Sequence, residues 1–182
     1  MATAQPKRSP KSAPMNEALD NDLGKLFHHQ LKDTYFAETA ITKALPKMIK
    51  GARSKELKSA FEAHLKQTQE HVARLEQIFD LAGWKAEGTP CEAIKGIIKE
   101  GDEVAEEFGQ TQAGDAGLAA AAQAVEHYEI ARYGTLKAWA RDLGFDEAIE
   151  LIEKTEDEEV ETDELLTQLA ATLNETAMSS RV

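Results

Sequence analysis

The sequence predicts an all-α fold, a bundle of four long helices, and two observations support this prediction. Glycine and proline are absent from residues 52–82, 118–133 and 145–182. These stretches are rich in Ala, Leu, Glu, Lys and Gln, the residues that lose the least free energy in a helix. No segment combines apolar–polar alternation with enrichment in β-branched residues, so no strand is predicted.

The first two long helices are predicted on either side of a short turn. The first covers about residues 17–50. Pro46 is expected to kink it, or to end its regular part just before the proline, because proline lacks a backbone donor. The second helix starts at Ser54, whose side chain can cap a helix N-terminus, and runs to Leu81. Gly83 is expected to end it, since glycine readily adopts the left-handed conformation found after a helix.

A long connection separates the second long helix from the third. It contains a loop at residues 84–90, a shorter helix at about 91–108 and a glycine-rich turn at 109–117. The third long helix is predicted at about residues 118–142, with Gly144 ending it, and the fourth at about 146–174. Four long helices with one long connection are typical of a bundle with a single crossover.

The composition describes a chain that can fold around a core and that carries excess negative charge. Hydrophobic residues make up 42% of the 182 residues, and 33 acidic residues outnumber 21 Lys and Arg, for a net charge of −12. The single cysteine excludes a disulfide framework and any cysteine-based zinc or iron–sulfur site. No apolar run could span a bilayer and no signal peptide is recognised, so a soluble, cytoplasmic protein is expected.

Three segments follow from these patterns. Residues 1–15 contain three prolines and three basic residues without an acid, which predicts a disordered basic tail. Residues 16–175 are predicted to form the bundle, and residues 176–182 a flexible C-terminus. Three positive charges would release few counterions from nucleic acid, and the acidic remainder would be repelled by phosphate. Nucleic-acid binding is therefore not expected.

Each long helix carries polar residues near the middle of its apolar face or beside it. Glu38 lies seven residues from both Leu31 and Leu45, which places the three side chains on one side of the first helix. The corresponding polar candidates on the four helices are, in chain order, Glu38, His64, His71, Glu126, Glu129, Glu159 and Asp163.

The midpoints of helices in an up-and-down bundle share one level, so these side chains are expected to meet in the core. Several buried carboxylates at one level cannot all stay ionised unless cations neutralise them. Two divalent ions, bound mainly by oxygen with one or two imidazoles, would do so. The i, i+3 spacing of Glu126 and Glu129 places both on one helix face. The alternative is a hydrated, hydrogen-bonded core with partly protonated acids.

Several short motifs on the long helices carry a family resemblance. They are Asp33-Thr34-Tyr35-x-x-Glu38, Ala60-Phe61-x-x-His64-Leu65, Val125-Glu126-His127-Tyr128-Glu129-Ile130-Ala131 and Glu158-Glu159-x-x-Thr162-Asp163. In these motifs the chain resembles the YciE/YciF-like stress proteins of the ferritin-like superfamily, over about residues 26–170. The resemblance implies a ferritin-like four-helix bundle, commonly dimeric, with a dinuclear metal centre and stress-induced expression.

The resemblance also implies a set of metal ligands, namely Glu38, Glu126, Glu129 and Glu159. The family often carries Glu at the position of Gln67, where this chain has a neutral amide, so one charge and one bridging oxygen are missing. His64 or His71 could compensate. The expected cofactors are two divalent ions, iron or manganese. The expected partners are a second copy of the chain and a metal ion or small oxidant.

Two functions are open at this point. One is a stress-response protein whose metal–carboxylate centre handles iron, oxygen or peroxide. The other is a non-enzymatic structural or interaction bundle with a degraded metal site. No catalytic residue is assigned. Glu158 and Glu161 are expected on a solvated face. Tyr35 and Tyr133 are expected to hydrogen-bond a ligand carboxylate or to pack, rather than to serve in radical chemistry.

Overall fold

The computed structural model describes residues 19–179, which contain five α-helices and no strand. The helices are α1 (Asp22–Gly51), α2 (Lys55–Leu81), α3 (Glu92–Phe108), α4 (Gly114–Asp142) and α5 (Asp146–Ser179). The predicted fold of four long helices with a shorter helix in the crossover is confirmed. None of the described helices is long and apolar enough to cross a membrane. The predicted basic tail, residues 1–15, lies outside the described residues.

The four long helices pack in a ring. α1 lies against α2 and α4, and α5 also lies against α2 and α4, while the crossover helix α3 packs on α4 and α1. Across α1 and α4, the Tyr128 hydroxyl donates to Asp33, whereas Gly51 at the other end of α1 lies beside Leu118. These two helices are therefore antiparallel, and the middle of each faces the middle of the other.

The start of α1 and the effect of Pro46 differ from the sequence prediction. α1 begins at Asp22 rather than residue 17, because the Asn21 side chain accepts the backbone N–H of Gly24 at 2.9 Å and caps the helix there. The helix then continues through Pro46 to Gly51. The proline does not end it.

The caps predicted for α2 and α4 are present. The Ser54 hydroxyl accepts the backbone N–H of Leu57 at 3.2 Å, as a helix N-cap does. Gly83 and Gly144 follow α2 and α4 with φ of 70° and 66°. This left-handed conformation is strained for residues with a side chain, so glycine stops both helices where the sequence predicted.

Two helix ends extend beyond their predicted limits. α4 begins at Gly114 rather than residue 118, and Asp115 in its first turn accepts the backbone N–H groups of Arg53 and Ser54 at 2.8 and 2.7 Å. This contact ties the turn between α1 and α2 to the start of α4.

α5 continues to Ser179, so residues 176–179 of the predicted flexible C-terminus are helical and the others lie outside the described residues.

The buried apolar residues form two clusters along the bundle. The larger side chains of the first cluster are Phe27, Leu31, Leu75, Phe79, Tyr133, Leu136, Phe145 and Ile152. Those of the second are Ile41, Leu45, Leu57, Phe61, Ile94, Leu118, Val125 and Leu166. Between the clusters lies a layer of buried polar side chains, the polar layer, which is shielded from water on both sides.

Candidate metal centre

All four long helices contribute ionisable side chains to the polar layer. The six that face one another are Glu38, His64, His71, Glu126, Glu129 and Glu159, and each is at most 4% exposed. Each belongs to, or borders, the apolar stripe of its helix, so packing the stripes together also brings the polar groups together. The structure thus assembles six of the seven side chains that the sequence singled out.

The six side chains form two ligand groups that share one carboxylate. The first group is His64, Glu126, Glu129 and Glu159, and the second is Glu38, His71 and Glu159; within each group the ligand atoms lie within 4.8 Å of one another. Glu159 Oε1 is 3.0 Å from His71 Nδ1, and Glu159 Oε2 is 3.9 Å from His64 Nδ1. Its two oxygens therefore face the two histidines, which is the arrangement a bridging ligand needs.

Many atoms of the polar layer lack hydrogen-bond partners. Among the described residues these are Glu38 Oε2, His64 Nε2, His71 Nδ1, Glu126 Oε2, both oxygens of Glu129 and both oxygens of Glu159. A buried polar atom left unsatisfied costs about 1–3 kcal/mol. Carboxylate oxygens with imidazole nitrogens suit iron, manganese or zinc. The donor set therefore fits a pair of divalent cations.

The electrostatics of three carboxyl groups show how crowded the layer is. Burial raises the pKa of Glu126 and Glu129 well above the usual carboxyl value, and neighbouring carboxylates raise both further. Burial also raises the pKa of Glu38, although contacts with His71 oppose it. Without cations, these groups therefore hold their protons to higher pH than exposed carboxyl groups do.

The histidines and Glu159 behave differently. Burial lowers the pKa of His71, but the carboxyl groups of Glu159 and Glu38, which lie 3.0 and 3.4 Å from its Nδ1 atom, outweigh burial and raise it to about 10. The pKa of Glu159 is lowered, because contacts with both histidines outweigh its burial. Burial keeps the pKa of His64 low. In the absence of metal, a charged His71 thus lies beside an ionised Glu159.

A buried salt bridge positions His71. The Nε2 atom of His71 lies 2.9 Å from Glu158 Oε2, and Arg74 donates to both Glu158 oxygens at 2.6 and 3.0 Å and to Thr155 at 3.0 Å. With Nε2 engaged by Glu158, the ring presents Nδ1 to the ligand group. The prediction that Glu158 lies on a solvated face was wrong, since its side chain is only 19% exposed; Glu161 is exposed, as predicted.

Arg74 and Thr155 were missed by the sequence reasoning. Arg74 lies three residues after His71 on α2 and is 6% exposed. A basic residue one turn from a candidate ligand, on the buried side of a helix, is a signal that could have identified it. Its partner Glu158 belongs to an acidic run on another helix, so only packing shows the pairing.

The two tyrosines expected near the ligands have different positions. The hydroxyl of Tyr133 is buried and donates to Glu38 Oε1, so the expected hydrogen bond to a candidate ligand is present, across two helices. The hydroxyl of Tyr35 does not reach a candidate ligand but donates to Glu76 at 2.8 Å on the protein surface, so only the packing role expected of Tyr35 is present. Tyr35 turns away because its ring packs against Phe79.

Asp163 and Gln67 lie beside the polar layer rather than in it. Asp163 Oδ1 accepts from Gln123 at 3.2 Å and lies 3.5 Å from His127 Nε2, outside both ligand groups. Asp163 therefore faces the partly exposed seam between α4 and α5. Gln67, on α2 between the two histidines, is half-buried.

The pKa shifts predict how the stability of the metal-free protein depends on pH. Folding raises the pKa of His71, so the contribution of this residue to stability is complete below pH 6.5 and is lost as pH rises toward about 10. The raised pKa values of Glu126 and Glu129 act in the same direction. We therefore expect the melting temperature, measured by circular dichroism with a chelator present, to fall across this range.

A variant separates this effect from general surface titration. Glu129→Gln removes one buried acid and should reduce the slope of melting temperature against pH, whereas the exposed Glu161→Gln should keep the wild-type slope. A melting temperature that rises with pH from 6.5 to 10 would contradict the assigned charges.

Comparisons with known proteins agree over most of the chain. The family described as "Domain of unknown function (DUF892)" matches residues 22–178. Protein YciF of Escherichia coli strain K12 is 42% identical over 146 residues, which cover 80% of this chain and 88% of YciF.

Solved structures of similar proteins have the same fold. The crystal structure of the E. coli stress protein YciF matches with a TM-score of 0.81 and 40% identity, covering 85% of this chain and 98% of YciF. YcfI from Rhodopseudomonas palustris, for which a structural role has been suggested, matches with a TM-score of 0.79 and 46% identity. The match covers 81% of this chain and 94% of YcfI. A protein from Xanthomonas campestris matches with a TM-score of 0.66 over 84% of this chain and 93% of its own. It is 22% identical, so this match shows the fold alone.

Proposed function

This chain belongs to the DUF892 family, and from that membership and the polar layer we propose that it is a stress-response protein with a dinuclear metal–carboxylate centre. The observation that carries the proposal is the set of buried ligand atoms without hydrogen-bond partners among the described residues. These atoms come from all four long helices and converge on two adjacent positions that share Glu159.

The side chains divide naturally between two ions. His64, Glu126 and Glu129 would hold one ion, Glu38 and His71 would hold the other, and Glu159 would bridge both. The charge of two divalent cations would balance the four ligand carboxylates, so no ligand would need to keep a proton. The expected metals are iron or manganese.

The surrounding residues support such a centre. When bound, a pair of redox-active ions supplies adjacent positions at which oxygen or peroxide can react, so we propose that the protein handles iron, oxygen or peroxide. The two apolar clusters border the layer on either side along the bundle. Tyr133 orients Glu38, and the Arg74–Glu158 pair fixes the ring of His71.

A second candidate is a structural or interaction bundle without metal. The contact of His71 with Glu159 at 3.0 Å favours it, because a charged imidazole neutralises one carboxylate without any cation. Gln67 favours it too, since the amide removes a charge that related proteins often have at this position. This candidate agrees with the structural role suggested for YcfI.

Metal stoichiometry distinguishes the two candidates. Elemental analysis of protein purified without added metal, and again after dialysis against Fe²⁺ or Mn²⁺ and desalting, should give two ions per chain for the proposed centre. The iron-loaded protein should then consume added hydrogen peroxide faster than an equal concentration of free Fe²⁺ mixed with metal-free Glu159→Ala protein. Far less than one ion per chain under both conditions would favour the structural bundle.

A further inference from the structure

A cavity of about 470 Å³ extends from the surface to the polar layer. Its walls are apolar and include Ile41, Leu45, Phe61, Ile97, Leu118 and Leu166. The buried side chains of His64 and Glu126 form its inner end, and the exposed Lys47, Asp102 and Glu106 lie at its outer end. Pockets of this size bind small molecules, and an apolar cavity of only about 150 Å³ holds benzene.

The crossover helix α3 closes one side of this cavity. Ile97, Ile98 and Ala105 of α3 contribute to the lining. The helix is seated closely on α4, because a Cβ atom on Gly117 would lie 2.5 Å from Val104 Cγ1. Since α3 and α4 approach this closely beside it, the cavity is a built feature rather than a general gap between loosely packed helices.

A groove lined by lysines adjoins the outer end of the cavity. It lies between α1 and α3, has a volume of about 560 Å³ and shares Lys47 and Asp102 with the cavity. Its basic residues are Lys43, Lys47, Lys95 and Lys99. Lys95 and Lys99 pair with Glu92 and Glu103 on their own helix, each at 2.8 Å. In a chain with a net charge of −12, Lys43 and Lys47 are therefore the groove's lysines that can attract an anion.

The ion pairs of these lysines leave capacity for a ligand. Lys47 pairs with Asp102 across α1 and α3 at 2.8 Å, but both side chains are largely exposed, so the pair is weak and an anion can compete for it. Lys43, also exposed, makes no ion pair among the described residues. The head group of a ligand is therefore best placed beside Lys43 and Lys47.

We propose that the cavity and the lysine groove together bind a single-chain anionic amphiphile, of the chemical class of a fatty acid. The anionic head would lie at Lys43 and Lys47, and the hydrocarbon chain would fill the apolar cavity with its end toward His64 and Glu126. The reverse orientation is disfavoured, because an ionised head group buried beside His64 and Glu126 would lose its hydration at the apolar inner end of the cavity. This binding goes beyond the proposed metal function and does not require it.

Isothermal titration calorimetry with three ten-carbon probes tests the proposal on the full chain, both metal-free and loaded with manganese. Decanoate should bind with one molecule per chain, at least about tenfold more tightly than decyltrimethylammonium, and decanol should be intermediate. Absence of saturable decanoate binding in both forms overturns the proposal. So does association with phosphatidylglycerol vesicles in the absence of decanoate binding, which would assign the lysines to a membrane surface.

Two variants separate the head-group site from the cavity. The double variant Lys43→Gln, Lys47→Gln should weaken decanoate binding about tenfold and leave the affinity for decanol unchanged. The control is Lys25→Gln on the same helix, whose side chain is 68% exposed, and it should change neither affinity. Ala105→Phe should weaken both probes, whereas Ala93→Phe at an exposed position of α3 should not. Wild-type affinity in both the lysine and the Ala105 variants overturns the proposal. If the protein takes up no metal but still binds decanoate, the proposed function fails and the proposed amphiphile site stands.

Discussion

Glu159→Ala is expected to abolish binding of both metal ions and the stabilisation that they provide. Glu159 is the one carboxylate common to both ligand groups, so its loss leaves each group without its bridging ligand. Because metal binds the folded state, free ion at about 100 times its Kd should stabilise the wild type by about 2.7 kcal/mol for each ion bound. In a domain of this size that corresponds to a rise in melting temperature of about 5–10 °C.

The measurement is a pair of melting curves, with Mn²⁺ and with chelator, for each variant. Glu129→Ala affects only the first group and should leave at most one ion per chain. Glu161→Ala removes an exposed acid from the same helix as Glu159 and should keep the full response. Glu158→Ala is unsuitable as a control because Glu158 contacts His71. A full manganese response in Glu159→Ala would contradict the dinuclear assignment.

Arg74→Ala is expected to lower the free energy of unfolding by about 3 kcal/mol. Arg74 is 6% exposed and donates to both oxygens of Glu158. Its removal leaves a largely buried carboxylate whose remaining hydrogen-bond partner among the described residues is His71. Urea unfolding of the metal-free protein measures the loss, and the same variant should bind metal more weakly, since His71 is no longer held.

Two further variants test the physical reason for this loss. Arg74→Ala combined with Glu158→Gln should recover part of the stability, because no uncompensated charge remains. Lys154→Ala removes another cation near Glu158, but that side chain is 63% exposed and its nitrogen is 4.0 Å from the carboxylate, so the change should cost well under 1 kcal/mol. An Arg74→Ala loss no larger than that of Lys154→Ala would mean that the salt bridge contributes little.

Helix positions were predictable because their signals are local. Ser54 caps α2 through a hydrogen bond to a residue three positions later, and Gly83 and Gly144 end helices through their own backbone conformation. One error was also local, because the Asn21 cap that starts α1 was overlooked. Another occurred where a distant segment matters. The early start of α4 is accompanied by the contact of Asp115 with Arg53 and Ser54, more than sixty positions away in the chain.

The sequence by itself determined which side chains enter the polar layer. The seven-residue spacing of Leu31, Glu38 and Leu45 places a carboxylate on a stripe that must be buried, and the same reasoning identified His64 and Glu129. Amphipathic spacing is a property of one helix and needs no knowledge of its neighbours. Their role as metal ligands stays a prediction.

Only the tertiary structure decided how these side chains are grouped. It divides them into two ligand groups that share Glu159, directs Glu158 toward His71 and Arg74, and leaves Asp163 outside. It also opens the cavity beneath α3 that reaches Glu126. These features depend on the rotation and axial shift of each helix relative to the others, which side-chain packing across the whole bundle sets and which the pattern of a single helix does not contain.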